Sequence, residues 1–567
     1  MTCTKFKLTT VAALVLAVTN ANAALYDIVE VSPSGAHGSE NYGVAVKSED
    51  IDRSTASADQ LLGCFDSTAA SCATEDYPIA VESYKAPAGL SYREEVPFAM
   101  DNRFIYIHDD FDQYESYCDE FLQYSTCESW SLDRWYTLQN ERNLSYVNVE
   151  SYIEQTKVGT TNTVVNSLDE TSEPIGVKSD GSSIRHNVLS PVLPVTNNSE
   201  SRAWDSLTIP SSSATYYVGS VSSDITNDYG SYFSSKGAIW SSTQTTPVLS
   251  PWGASVNDKR DDYIAQGSMR ALAYDGTDIY AAGYNSNYDS TDLQDMNATI
   301  FKIGSPTLGD TVVPMTVSGT EVDSNDDYKY TNSVATDIND NLVAIGNAKR
   351  RIIEGGTLST KMFVVDNAAS PTANFLTSGI FFSDAGGEAK SINNFNEIVG
   401  QVDSESIREI DGRERRHRGF IYPYEAKTNA TSSIDERRVD IFNGQAWWLD
   451  DLTNDGNASG INNRYRIIDA SDINDAGVIS ATAIRCTVNG SARPYDTTAH
   501  NSYCNNAESS STTEEIVAVK LIPKQGSDAS NIQARGTDEH KVDREGAGLS
   551  WLALTVLGLL GFRRKFK

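Results

Sequence analysis

Basic charge is what this chain has least of. Its 567 residues hold 45 Lys and Arg against 77 Asp and Glu, a net charge of −32. Binding to nucleic acid or to an anionic membrane surface draws on clustered Lys and Arg that displace counterions, so this balance argues against either as the main partner. Catalytic signatures are missing too. None of the six histidines (His37, His108, His186, His417, His500, His540) stands in an H-E-x-x-H motif or at zinc spacing from a cysteine. There is no G-x-S-x-G elbow and no phosphate-binding glycine loop. Carboxylate pairs such as Asp109-Asp110 and Asp261-Asp262 are expected by chance in so acidic a chain, so no catalytic residue is assigned. The hydrophobic share of 39% still suffices for a core and excludes wholesale disorder.

The two ends carry the addressing information. Lys5 and Lys7 precede the apolar stretch Val11–Val18, and Ala21-Asn22-Ala23 is a small-x-small cleavage site. This reads as a signal peptide over 1–23, too short for a membrane span of about 20 residues. At the other end Gly546-Ala547-Gly548 precedes an apolar run, Leu549–Phe562, followed by Arg563, Arg564, Lys565 and Lys567. The order resembles the bacterial GlyGly-CTERM sorting tails. That resemblance implies a Gram-negative envelope protein held by the inner membrane and cut near Gly546 and Gly548 by a rhombosortase-type protease. The alternative is a plain, uncut anchor over 549–567. Without these ends the body is more acidic still. Six cysteines remain after the signal, as three neighbouring couples, and the most economical pairing is Cys64–Cys72, Cys118–Cys127 and Cys486–Cys504. An even count after a signal peptide fits disulfides in an oxidising compartment.

A phrase recurs along the middle. It reads Ala335-Thr336-Asp337-Ile338-Asn339-Asp340-Asn341-Leu342-Val343-Ala344-Ile345-Gly346, and returns over 391–400 and over 471–479, with Ala481 where glycine is expected. A fainter copy runs from Ser167 to Gly176, and another, one residue longer, from Ala271 to Gly283. Asn and Asp tolerate left-handed backbone angles and bond their own backbone. The phrase therefore predicts a tight hairpin, with Asp337, Asn339, Asn393, Asp472 and Asn474 as turn residues and the closing glycine allowing close backbone approach. A further strand follows many copies, as in Lys361–Val365 and Gly419–Tyr422.

The phrase and its G-F-I-Y strand resemble the extracellular HAF repeat, most closely through Ala446–Leu452 and Asp469–Gly477. Signal, repeats and tail together resemble the DUF3466 family of marine gammaproteobacterial envelope proteins, which brings no activity with it. Short antiparallel strands in repeats must hide their edges. The expected fold is therefore all-β, a β-propeller of about 6–7 irregular blades over 24–524, with the alternative of a β-solenoid or packed β-sandwiches. Leu25–Val31 and Glu515–Ile522 are expected to close the ring in one shared blade. Residues 109–157 read as a helical, disulfide-clipped insertion, and 525–548 as a flexible linker.

Calcium is the one cofactor candidate, through Asp451 and Asp455 around Gly456, or through Asp323–Asp327. Neither completes an EF-hand loop, and turn-forming is the plainer reading. The run Arg413–Arg418 reads as a solvated loop paired with acids, or as an anion or glycan contact. The expected function is non-enzymatic: an exported binding or scaffold protein of the periplasm or outer surface, with a glycan or protein ligand. The alternative is a secreted propeller-type polysaccharide hydrolase or lyase, which a deep central pocket with converging carboxylates and Arg or His would favour. The tail reading predicts that mass spectrometry of the released protein finds a C-terminus near Gly548. An intact Lys567 on exported protein excludes sorting.

Overall fold

A computed structural model of the chain describes residues 24–535, apart from short internal stretches and the longer 88–110, 120–126, 180–186, 322–328, 407–414, 493–503 and 505–511. Ala23 with its signal segment, Gly546 and Gly548 with the tail, and Asp323–Asp327 lie outside the described residues.

Seven antiparallel sheets form the blades of a β-propeller. Their innermost strands, in ring order, are Glu40–Val46, Thr163–Leu168, Ser201–Ile209, Gly267–Tyr274, Tyr330–Ile338, Gly387–Ile392 and Tyr465–Ile473. Each touches the next, and the last returns to the first. Most blades add a short fourth, outer strand to the expected three. The seventh blade closes the ring as the sequence predicts. The strand Tyr26–Val31 pairs with Thr512–Pro523, Tyr26 opposite Pro523 and Val31 opposite Ala518. Blade interfaces are apolar. Val343, Ile345, Met362 and Val364 of blade 5, for example, meet Ile398 and Phe420 of blade 6.

One irregularity recurs in all seven blades. Each innermost strand leaves a residue unpaired, a β-bulge, at Val44, Asn166, Trp204, Arg270, Thr336, Lys390 and Ser471. These are the variable positions of the repeated phrase. Beside the bulge, in blades 2 to 6, stands the closing glycine: Gly176, Gly219, Gly283, Gly346 and Gly400. Bulging pushes a carbonyl toward the partner strand, and a Cβ on Gly400 would lie 2.0 Å from the Glu388 oxygen. Blade 7 carries Ala481 instead, and blades 5 and 7 each have a second register shift, between Tyr330 and Asn332 and between Ile467 and Asp469.

Several boundaries differ from expectation. The helical insertion contains Phe111–Tyr117 and Cys127–Arg142, but Val149–Ile153 and Thr156–Val158 are the outer strands of blade 1. The short run over 149–158 mixes charged and apolar residues too closely for periodicity to separate it from the helices. The first eleven residues of the expected linker are part of the body. Residues 525–535 pack on the body, and Arg535 is buried against Asp450, Asn463 and the Tyr465 carbonyl. Their polarity, read as flexibility, serves these buried hydrogen bonds. All three neighbouring cysteine pairs are bonded. Asp337 and Asp472 lie in strands, one residue before the apolar anchor, and not in turns.

The bulge makes a stability prediction. Gly400→Val should cost about 2–4 kcal/mol by overpacking, whereas Gly309→Ala, with nothing closer than 3.7 Å to the new methyl, should stay within about 0.5 kcal/mol in denaturant titration. Equal effects at both sites would refute the close-approach role.

Candidate functional site

The repeated phrase stitches each blade to the next around the central channel. Asn339 accepts from the Asn341 and Val343 amides, both at 3.1 Å, which closes its own turn. Its amide group then donates to the Asn393 carbonyl at 2.8 Å. Asn393 repeats the pattern toward Asn474 at 3.0 Å, and Asn474 toward Lys47 at 3.0 Å. The three asparagines are thus turn residues and blade connectors together.

Aspartates reach across in the same direction, one residue after the bulge. The carboxylates of Asp205, Asp337 and Asp472 accept the Leu272, Ile392 and Val46 amides of the following blades at 3.0, 2.8 and 2.8 Å. Each also accepts the amide of its own next residue. Burial pushes the Asp205 carboxyl up to about 7 and that of Asp337 to about 8, against the pull of those amides, and raises Asp472 as well.

A cavity of about 1060 Å³ fills the channel, lined by all seven blades and by Trp130 and Arg134 of the insertion. Its charge is arranged along the axis. At the hairpin end stand Glu49, Asp50, Asp340 and Asp475, where burial raises Asp340 to about 6 and Asp475 to about 7. A strap from blade 1 lines this end. Its Ile51 amide donates to Asp475 at 3.0 Å, and Arg53 donates to Asn341. The basic lining residues lie nearer the middle and the other end. Lys390 contacts Asp469 at 2.7 Å. His417 Nε2 lies 3.1 Å from Asp403, which also pairs with Arg415 at 3.0 Å. Behind them burial lowers Lys361 to about 8, and its ammonium donates to the Ser383 and Ala385 carbonyls at 2.7 and 2.8 Å. Aromatic walls complete the cavity. The guanidinium of Arg270 sits 3.5 Å over the Trp204 ring, and Tyr42 and Tyr84 meet edge to face at 5.6 Å.

The arginine run differs from the solvated loop expected of it. Of its described members, Arg416 and His417 are half-buried, and Arg415 and Arg418 are buried, Arg415 between Asp384 and Asp403 and Arg418 on Asp450. An exposed loop would leave them hydrated; here the surrounding acids draw them inward. The calcium candidates engage protein donors. Asp451 accepts the Arg535 amide at 2.8 Å, and Asp455 accepts from Asn463 at 3.2 Å. Among the described residues no group of three His, Cys, Asp or Glu side chains has metal-binding geometry. Sequence reasoning missed Trp204, Arg270 and Lys390. The signal was present in the phrase itself: in A-x-D-I, the x is the bulged residue that reaches the channel.

A family model described as "Protein of unknown function (DUF3466)" matches residues 196–565. No curated protein matches. Among solved structures, the chain is similar to MPT-4, a mannose phosphorylase from Leishmania mexicana in complex with phosphate ion. The identity is 8%, over 59% of this chain and 87% of that one, with a TM-score of 0.21, too low to carry an argument.

The buried aspartates set a pH dependence. Their folded-state pKa values lie above the unfolded value, so the stability they contribute is fully present below about pH 4 and is lost as pH rises through about 7–8. The unfolding free energy should therefore fall by about 1–3 kcal/mol between pH 5 and pH 8.5, and the triple variant Asp205→Asn, Asp337→Asn, Asp472→Asn should flatten that slope. An equally steep slope in a folded triple variant would place the titration elsewhere.

Proposed function

The chain belongs to the DUF3466 family, and on that premise we propose that it is an exported envelope protein that binds a glycan in the central channel of its propeller. The observation that carries this reading is the cavity. It is deep, it is lined by every blade, and it mixes aromatic faces with paired charges. Sugars bind to such walls through stacked C–H faces and many shared hydrogen bonds, and pockets of this size bury a ligand of several rings.

Export rests on the signal-like residues 1–23 and on the three disulfides, which fit an oxidising compartment. No helix among the described residues is long and apolar enough to cross a membrane. Attachment would fall to residues 549–567, with processing near Gly546 and Gly548 releasing the body.

A second reading stays open on a specific observation. The cavity lining includes the carboxylates Glu82, Glu388, Asp403 and Asp469 together with Arg270 and His417, which supports the alternative of a polysaccharide hydrolase or lyase. The test is titration of the protein with acidic and neutral oligosaccharides, followed by tryptophan fluorescence and by assay for new reducing or unsaturated ends. Saturable binding whose fluorescence change disappears in Trp204→Leu is the expected result. Release of new ends would support the enzymatic reading, and absence of binding by every sugar would contradict the glycan channel.

A further inference from the structure

Apart from Val44, the bulged residues divide into two kinds. Asn166, Thr336 and Ser471 are short, and each donates to the corresponding carbonyl of the next blade, Ala203, Ala389 and Gly43, at 2.8, 2.8 and 2.7 Å. They bolt the ring. Trp204, Arg270 and Lys390 hold the same backbone position but carry long side chains that line the cavity. Trp204 and Arg270 are neighbours on blades 3 and 4, and Lys390 stands across the ring on blade 6.

We propose that Trp204 and Arg270 form the recognition site for an acidic sugar, a uronate or sulfated residue, with the Lys390–Asp469 pair reading hydroxyls across the channel; this rests on the glycan-channel reading above. A neutral sugar would use the open face of a tryptophan. Here the Arg270 guanidinium lies 3.5 Å over the Trp204 ring, with Tyr284 at 5.6 Å. That places a cation where the neutral ring would stack. Stacking engages the flat face of a guanidinium and fixes its plane, and an oriented guanidinium edge matches the two oxygens of a carboxylate or sulfate. Trp204 Nε1 is buried and has no hydrogen-bond partner among the described residues, which suits it to donate to a ligand oxygen. The acids at the hairpin end disfavour deeper entry of an anion. Lys390 is held by Asp469 at 2.7 Å and Glu388 at 3.5 Å. That cluster carries both donors and acceptors and suits vicinal hydroxyls more than a second anion.

Calorimetry tests this with three probes: oligogalacturonate, which carries only carboxylates, a carrageenan oligosaccharide, which carries only sulfates, and cellohexaose, at low and at physiological salt. The acidic probes should bind and weaken with salt, cellohexaose should bind far less, and the tighter acidic probe identifies the carboxylate or the sulfate. Arg270→Gln should weaken acidic-sugar binding about 10–100-fold, and Arg270→Lys, which keeps the charge without the fork, should fall between. Should Arg270→Gln not fold, the lysine variant and the salt dependence decide. Cellohexaose binding as tightly as the acidic probes, or unchanged affinity in a folded Arg270 variant, overturns the acidic-sugar assignment and leaves the channel reading standing. Failure of all three probes to bind overturns both.

Discussion

The ring depends on a hydrogen bond that crosses from one blade to the next. A propeller has no barrel ladder to hold its blades, since backbone pairing ends at each blade's edge, and neighbouring blades meet face to face through side chains. At Asp205, Asp337 and Asp472 a buried carboxylate captures a backbone amide that the following blade cannot pair within its own sheet. Leaving such an amide unmet in the interior would cost about 1–3 kcal/mol. These three aspartates stand on blades 3, 5 and 7, and each ties its blade to the next, the last to blade 1. Apolar packing between blades supplies most of the burial, but it is non-directional. The polar ties fix the angle and register at which the blades meet.

The bulge gives the same strands a second role. It leaves a residue of each innermost strand outside the ladder, and in blades 2 to 6 a glycine on the partner strand makes room for the displaced carbonyl. A side chain freed from pairing can change without disturbing the sheet. Where it is short it strengthens the ring; where it is long it furnishes the channel. Structural repetition and functional variety thus occupy adjacent positions of one phrase. Acids stand unbalanced at the hairpin end of the channel, whereas nearer the middle and the opposite end Lys390, Arg415 and His417 are paired with Asp469 and Asp403.

Much of the architecture was legible in the sequence, because the phrase records local physics. The Asn turns, the alternation after them and the closing glycine all act within a dozen residues, and they identified hairpins and a repeat. The pairing of Leu25–Val31 with Glu515–Ile522 was legible because an edge strand at each terminus has few other partners. Asp337 and Asp472 read as turn residues, since an aspartate two residues before a turn asparagine looks like turn chemistry and only the next blade reveals its acceptor role. The channel residues were hidden for a related reason. A hydroxyl at Thr336, cations at Lys390 and Arg270 and an indole at Trp204 follow no common residue type, so a search for similarity passes over them. The burial of Arg415 and Arg418 depends on acids far away in sequence, such as Asp384 and Asp450, which no local pattern records.

If the cross-blade ties hold the ring, the captured amides should open only when the whole molecule does. Native-state hydrogen exchange of Leu272, Ile392 and Val46 measures this most directly. The expected result is exchange as slow as that of the central blade strands, with selective acceleration at Ile392 in Asp337→Asn. Fast exchange at all three amides in an otherwise protected protein would show that the blades are held by packing alone, and would contradict the account.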